Sequence, residues 1–334
     1  MALIWGELVV CAALILFAGT RLSSAADAIA EQTGLTRSFV GLLLLATVTS
    51  FPELVTGVSA SWLLEEPNLA VGNVLGACVL NLSMIGVLDF LQRGESVYTR
   101  VSQGHILSAG FGVILIGFVG FNVLVARTGM PGTVGHVGLA SPIILVLYAV
   151  AMSAMYRYER RGTPQDTPRA VPRADVLIGP IWLRFGLAAL GVAGAATVLP
   201  FVADQLADAM GWDSTFVGTS LVAIATTLPE LTVTVAALRL GQVDLAVGSL
   251  LGSNLFNVAI VAVDDVFYRP GAILASVSPL HAVSAMSATM MSGVAIAGLL
   301  YRPRIRLLRT VGWVSLFLFS AYLLNASALF LYRE

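Results

Sequence analysis

The sequence predicts an all-α membrane protein with about ten transmembrane helices in two inverted five-helix repeats, both termini extracellular. Three observations predict it. The chain is 57% hydrophobic and only 11% charged, with a mean hydropathy of +0.89; a soluble domain carries about 25% charged residues. Apolar stretches of roughly 20 residues, the length of a membrane-crossing helix, recur from end to end. A stretch of the first half also returns in the second, polar residues included.

Residues 3–20 open the series. They are apolar, with Glu7 early and no basic segment ahead of them. That pattern predicts a spanning helix kept in the mature chain, not a cleaved signal peptide. Spans follow at 37–63, 69–91, 105–126 and 138–156, closing a first repeat over 1–156. Segment 157–180 is different in kind. It carries Arg157, Arg160, Arg161, Arg169 and Arg173 among Pro164, Pro168, Pro172 and Pro180, and reads as a cytoplasmic polar loop. The second repeat, 181–334, holds spans at 181–203, 215–239, 243–265, 275–300 and 309–331. Trp5, Trp62, Trp182, Trp212 and Trp313 lie mostly near span ends, as belt residues do.

Every basic residue is arginine, and arginine sets the orientation. With ten spans, one set of loops collects Arg21, Arg37, Arg93, Arg100, the 157–173 cluster, Arg239, Arg302, Arg304, Arg306 and Arg309. The other collects Arg127, Arg269 and Arg333. The rich set is assigned to the cytoplasm. Glu65–Glu66 and Asp264–Asp265 then fall outside.

The internal repeat is dense. Ala46-Thr47-Val48-Thr49-Ser50-Phe51-Pro52-Glu53-Leu54 matches Ala223-Ile224-Ala225-Thr226-Thr227-Leu228-Pro229-Glu230-Leu231 at an offset of 177, the separation of Glu53 and Glu230. Phe39-Val40-Gly41 returns as Phe216-Val217-Gly218, and Ala26-Asp27 and Gly34 as Ala203-Asp204 and Gly211. Gly72, Gly76 and Asn81 return as Gly248, Gly252 and Asn257 at 176. A unit with an odd number of spans, followed by its copy, re-enters the membrane from the opposite side, so the repeats are expected to be inverted. In transporters built this way the site lies near the midplane where the repeats meet.

The repeated motif carries the chemistry. Pro52 has no N–H and crowds the carbonyl of Val48, so the helix must kink or open there. In hydrocarbon, freed carbonyls are tolerated only beside a cavity or an ion. Thr49, Ser50 and Glu53 share a helix face, so one turn gathers a carboxylate, two hydroxyls and backbone carbonyls. These are hard oxygen ligands of the kind that suits Ca²⁺. Thr226, Thr227, Pro229 and Glu230 are expected to supply the same set again. Asn81 and Asn257 add amides, either as ligands or as hydrogen-bonding links between helices. The four glycines read as close-packing positions. A carboxylate inside a span is costly and by default functional. Ca²⁺ would neutralise two of them; monovalent cations or protons could replace it. Mutually exclusive occupancy is what an antiporter needs.

These residues resemble the Ca²⁺/cation antiporter superfamily, which includes the sodium/calcium exchangers. Its repeats carry a G-T-S-L-P-E-like motif in the second and seventh helices and G-S-N-x-x-N in the third and eighth. The match covers roughly 37–90 and 214–262. The resemblance implies Glu53 and Glu230 as central Ca²⁺ ligands, with backbone oxygens from Thr49 and Thr226. It implies Ser50, Thr227 and Ser253 near Na⁺ sites and Asn81 and Asn257 completing the centre. It further implies that the first and sixth helices slide across a fixed core. Val48 and Ala225 replace the motif glycine, Ala77 stands opposite Ser253, and Asn257 is an amide where some sodium-coupled relatives carry an acid. These departures bear on the number of Na⁺ sites.

The expected activity is therefore exchange of Ca²⁺ for Na⁺ by alternating access in the plasma (cell) membrane. Ca²⁺/H⁺ exchange is the alternative; a cation channel or an intramembrane hydrolase are remote ones. No enzyme activity and no cofactor is expected, the partners being the lipid bilayer, Ca²⁺ and monovalent cations. A net charge of −1 argues against nucleic acid. Cys11 and Cys78 form no disulfide or metal framework, Cys78 reading as a small apolar residue. His105, His136 and His281 show no metal-ligand spacing and read as structural. Asp27, Asp204 and Asp208 read as hydrated or capping residues at span ends, with a role for the repeat-related Asp27 and Asp204 in ion access held open.

Overall fold

A computed structural model describes residues 2–92, 95–126, 132–161, 178–210, 223–303 and 312–331. In chain order its elements are α1 (Ala2–Thr33), α2 (Arg37–Val40), a π-helical turn (Gly41–Leu45), α3 (Ala46–Thr49), α4 (Phe51–Trp62), α5 (Pro67–Leu91), α6 (Val97–Arg100) and α7 (Gly104–Ala126). A two-residue hairpin, β1 (Thr133–Val134) and β2 (Val137–Gly138), precedes α8 (Ala140–Arg161). Then come α9 (Ile178–Met210), α10 (Ala223–Arg239), α11 (Val243–Phe267), a 3₁₀ turn (Ile273–Ala275), α12 (Leu280–Tyr301) and α13 (Trp313–Leu331). Among the described residues, eight helices are long and apolar enough to cross a membrane. A ninth is added if Arg37–Thr49 and Phe51–Trp62, bent by 43°, form one span. The span expected at 215–239 corresponds to α10, of which 17 residues are described. Phe216-Val217-Gly218, Gly211, Trp212, the Asp204 and Asp208 side chains and residues 162–177 of the polar loop lie outside the described residues.

The helix ends follow local rules. Thr36 caps α2, its hydroxyl accepting from Phe39 N–H at 3.3 Å, as an N-cap threonine does. Gly34, at φ +69°, turns the chain after α1, a conformation glycine takes without strain. Pro67 starts α5 at a position where its missing N–H costs nothing.

Contacts divide the chain into two units. The first comprises Met1–Pro52 and Thr167–Ser249. In it α1 packs along α9 and against α10. Small residues make the crossings: a Cβ on Gly191 would lie 3.1 Å from Ala18 Cβ, and one on Gly19 only 2.8 Å from Thr232 Cγ2. Such residues let membrane helices approach closely. Ser23 adds a hydroxyl bond to the Val233 carbonyl at 2.8 Å. The outer faces of α1 and α9, with Val10, Leu14, Phe17, Leu187 and Leu190, are exposed and suited to lipid. The turn holding α2 lies tightly on the start of α11. A Cβ on Gly41 would sit 2.3 Å from the Leu245 carbonyl oxygen, and one on Gly248 2.4 Å from that of Ser38. Asp27 is neither capping nor simply hydrated. It accepts from Arg37 Nε at 2.5 Å and from Gln242 Nε2 at 3.2 Å, while Arg37 also pairs with Glu31 at 3.0 Å.

The second unit comprises Glu53–Asp166 and Leu250–Glu334. Here α12 packs along α7, and α5 meets α12 and α13. Two buried aspartates, 176 residues apart, organise it. Asp89 accepts from Ser96 Oγ (2.7 Å) and Val97 N–H (3.0 Å) on one oxygen, and from Gly312 N–H (3.3 Å) and Ser315 Oγ (2.8 Å) on the other. Asp265 accepts from Ile273 N–H (2.6 Å) on one oxygen, and from Gly138 N–H (2.8 Å) and Ser141 Oγ (2.5 Å) on the other. Val97 and Ile273 are themselves 176 apart, and both Gly-x-x-Ser segments lie at the start of a long helix. The sequence reading set Asp264–Asp265 at the external end of a span. Both lie within α11 and are enclosed, at 0% and 1% exposure. Burial also holds the Tyr98 phenol above its usual range, with Ser315 as its hydroxyl neighbour. Of the predicted packing glycines in this unit, Gly72 has His281 Cε1 3.0 Å from a would-be Cβ, whereas Gly76 faces open space.

Candidate cation site

In the first unit the chain widens into a π-turn at Gly41–Leu45, resumes as α3, and breaks at Ser50 (φ −89°, ψ 8°), two residues before Pro52. The missing N–H and the ring of Pro52 account for the break. Thr49 and Ser50 are fully buried. Thr49 Oγ1 bonds back to the Leu45 carbonyl at 3.0 Å, which leaves the Ser50 hydroxyl as the group the break presents. Ser50 Oγ donates to Glu230 Oε1 at 3.4 Å. Hydroxyl and carboxylate of the two motif copies therefore meet, 180 residues apart. Thr226, Thr227 and Glu230 are buried as well. The second copy differs in one respect from the sequence expectation: Pro229 lies inside α10, and the described helix continues through it. Thr234 Oγ1 takes up the Glu230 carbonyl at 2.6 Å, one turn on.

In the second unit Glu53 stands in the first turn of α4 and is fully buried. Neither of its carboxylate oxygens has a hydrogen-bond partner among the described residues. Asn73 Nδ2 reaches the Glu53 backbone carbonyl at 3.4 Å. Ser253, Asn81 and Asn257 are buried too. The amides of Asn81 and Asn257 have no nitrogen or oxygen partner among the described residues. The Cys78 thiol lies beside Asn257 and near Glu53. Buried carboxylate and amide oxygens without a protein donor are groups that a cation or a proton could satisfy, since buried polar atoms are ordinarily paired.

Helices α5 and α11 cross at a reciprocal contact. Asn254 Nδ2 donates to the Cys78 carbonyl at 3.3 Å, and Cys78 Sγ lies 3.8 Å from the Asn254 carbonyl. Cys78 and Asn254 are 176 apart, so each is the other's counterpart in the repeat. Cys78 is therefore a crossing residue, more than an apolar filler. His281 is structural as expected, its ring meeting Asn68 Oδ1 at 3.1 Å. Asn73, Asn254 and Asp89 were given no role by sequence reasoning; the available signal was a polar side chain inside an apolar span. Among the described residues no group of three or more His, Cys, Asp or Glu is placed to hold a metal. Cation ligation here would depend on hydroxyls, amides and carbonyls as well as carboxylates.

Three comparisons bear on this geometry. The sequence model of the family described as sodium/calcium exchanger protein matches residues 3–157 and 180–328. The inner membrane protein YrbG of Escherichia coli K12 is 29% identical over 277 residues, covering 82% of each chain. The sodium/calcium exchanger MaX1 of Methanosarcina acetivorans is 29% identical over 274 residues, covering 73% of this chain and 77% of its own. Among solved structures, the sodium-calcium exchanger NCX_Mj soaked with Na⁺ and Sr²⁺ superposes with a TM-score of 0.74. It shares 19% identity and covers 97% of this chain and 98% of its own, a likeness of fold.

Proposed function

The chain belongs to the sodium/calcium exchanger protein family, and from that premise we propose that it exchanges Ca²⁺ for Na⁺ across the cell membrane by alternating access. A cation antiporter, and not an enzyme, is what the family and the fold describe. One observation carries the finer reading. Glu53 is fully enclosed, lies just past a broken helix, and has no protein donor on either oxygen, and its whole motif is repeated around Glu230. An ionised carboxylate in that setting is costly unless a cation or a proton meets it.

Glu53 and Glu230 are the proposed Ca²⁺ ligands, with oxygens from Thr49, Thr226, Asn81 and Asn257. Ser50, Thr227 and Ser253 supply hydroxyls for Na⁺. The Ser50–Glu230 hydrogen bond supports this reading: a hydroxyl that donates to the carboxylate in one state can turn its lone pairs to Na⁺ in another. Inverted repeats, ten spans and external termini belong to the same proposal. Supporting them are the paired aspartate arrangements at Asp89 and Asp265 and the meeting of the counterparts Cys78 and Asn254. The two repeats remain 1–156 and 181–334, joined by 157–180 on the cytoplasmic side.

The test is Ca²⁺ uptake into proteoliposomes under an imposed Na⁺, K⁺ or H⁺ gradient. Uptake that follows the Na⁺ gradient is expected; uptake indifferent to Na⁺ refutes the pairing. Ca²⁺/H⁺ exchange is the second reading, favoured by Ala77 opposite Ser253 and by the amide at Asn257, which leave fewer oxygen ligands for Na⁺. A pH-gradient arm in the same assay separates the two.

A further inference from the structure

Asp264 is a buried carboxylate that the proposed centre does not use. It is fully enclosed within α11, and neither oxygen has a hydrogen-bond partner among the described residues. Its neighbour Asp265 is wholly engaged by two N–H groups and a hydroxyl; Asp264 has no such structural employment. It lies against Gly57 of α4. A Cβ there would fall 2.5 Å from Asp264 Oδ2 and 2.7 Å from Oδ1, so the missing side chain of Gly57 makes the room the carboxylate occupies. Glu53, Gly57 and Ser61 stand four apart on one face of α4. Ser61 is also buried, and its hydroxyl has no partner among the described residues. Beyond Ser61 comes the end of α4, where the rings of Trp62 and Phe267 lie 6.1 Å apart.

One face of α4 thus carries, in order, the Glu53 carboxylate, the level at which Asp264 reaches in, and an unengaged hydroxyl. Each step is four residues, about 6 Å along the helix. The repeat does not reproduce the device. The counterpart of Asp264, at 176, is Leu88, and that of Gly57, at 177, is Thr234. Asp264 therefore has no acidic counterpart in the other repeat.

We propose that Asp264, with Ser61, is a second cation station, placed between Glu53 and the membrane face at the Trp62 end. It takes the transported metal cation in passing and serves access from that side alone. Two carboxylate oxygens and a hydroxyl are too few for the 6–8 oxygens that enclose Ca²⁺. The ion keeps part of its water there, and the station binds weakly. The arginine distribution assigns this face to the outside. The inference rests on the exchanger reading above.

The experiment is Ca²⁺ exchange in sidedness-controlled proteoliposomes, with Ca²⁺ varied separately on each face. Asp264→Asn is expected to raise the apparent KM for Ca²⁺ about five-fold or more from the external face, as loss of a focusing charge does, and to leave the internal KM unchanged. Gly57→Ala, whose methyl displaces the carboxylate, is expected to give the same one-sided shift, and it serves if the Asn variant does not fold. Equal KM values for wild type and both variants, or equal shifts from both faces, overturn the proposal. So does an altered H⁺ dependence with an unaltered Ca²⁺ KM, which would make Asp264 a proton site. Calorimetric titration of the detergent-purified wild type with CaCl₂ separates the two failures. If wild type neither binds nor exchanges Ca²⁺, the exchanger reading falls and takes this inference with it. If it does both while the Asp264 variants behave as wild type, this inference alone falls.

Discussion

Replacing Asp265 by asparagine tests whether the buried aspartates hold the second unit together. Asparagine keeps the shape but offers one acceptor oxygen where aspartate offers two. Asp265 receives the Ile273 N–H on one oxygen, and the Gly138 N–H with the Ser141 hydroxyl on the other. In the best flip the amide oxygen faces Gly138 and Ser141, and its NH₂ then confronts the Ile273 N–H, donor against donor. Orphaning one buried N–H costs about 1–3 kcal/mol, and two bonds that lose charge assistance cost about 0.5–1 kcal/mol each. The expected loss is about 2–5 kcal/mol, a large fraction of the stability of a folded domain. The assay is unfolding of the purified protein in mixed micelles, followed by tryptophan fluorescence. Asp89→Asn, which disturbs four donors, is expected to lose at least as much. Unfolding of Asp265→Asn within about 0.5 kcal/mol of wild type would refute the reasoning and reduce the arrangement to incidental contact.

The opposite outcome is expected at the proposed centre. Glu53→Gln abolishes Ca²⁺ exchange in proteoliposomes, yet its unfolding changes by less than about 1 kcal/mol, because Glu53 gives up no protein hydrogen bond to its carboxylate; near-normal exchange would remove Glu53 from the site. Glu230→Gln likewise abolishes exchange while the protein stays folded, as judged by uptake and size-exclusion profile. Asn81→Ala weakens exchange less than either glutamate change, and an equal loss would make it a primary ligand. Gly41→Ala, whose methyl would sit 2.3 Å from the Leu245 carbonyl oxygen, forces the α2 turn off α11 and costs about 1–3 kcal/mol, measured by the same unfolding assay.

Much of the candidate site was legible in the sequence because membrane burial makes polar residues conspicuous. Glu53, Glu230, Thr49, Thr226, Ser50, Thr227, Asn81 and Asn257 stood out as polar groups in apolar spans, Ser253 came with the family resemblance, and all are buried. The break near Pro52 was legible from the missing N–H. The uninterrupted passage of α10 through Pro229 was not, because proline removes one bond without dictating how neighbouring turns absorb it. The burial of Asp264 and Asp265 was not legible for a different reason. Two adjacent acids near the end of a span show only which end they stand at, and the segments that close over them, Gly138–Ser141 for Asp265 and Gly57 for Asp264, bury them. Those segments are distant in the chain. Likewise, the guanidinium that claims Asp27 stands ten residues away on another helix, beyond any local spacing rule.

The contact between Cys78 and Asn254 has a consequence for how such a chain can change. Had the two segments belonged to separate identical subunits, the position where a segment meets its own copy would have faced like with like, thiol to thiol or amide to amide. Carried on one polypeptide, the two codons are independent, and an unlike couple can form: an amide that donates to the neighbouring backbone beside a small thiol that leaves it space. Fusion thereby opens to single substitutions the one spot that a self-pairing assembly can alter only in duplicate.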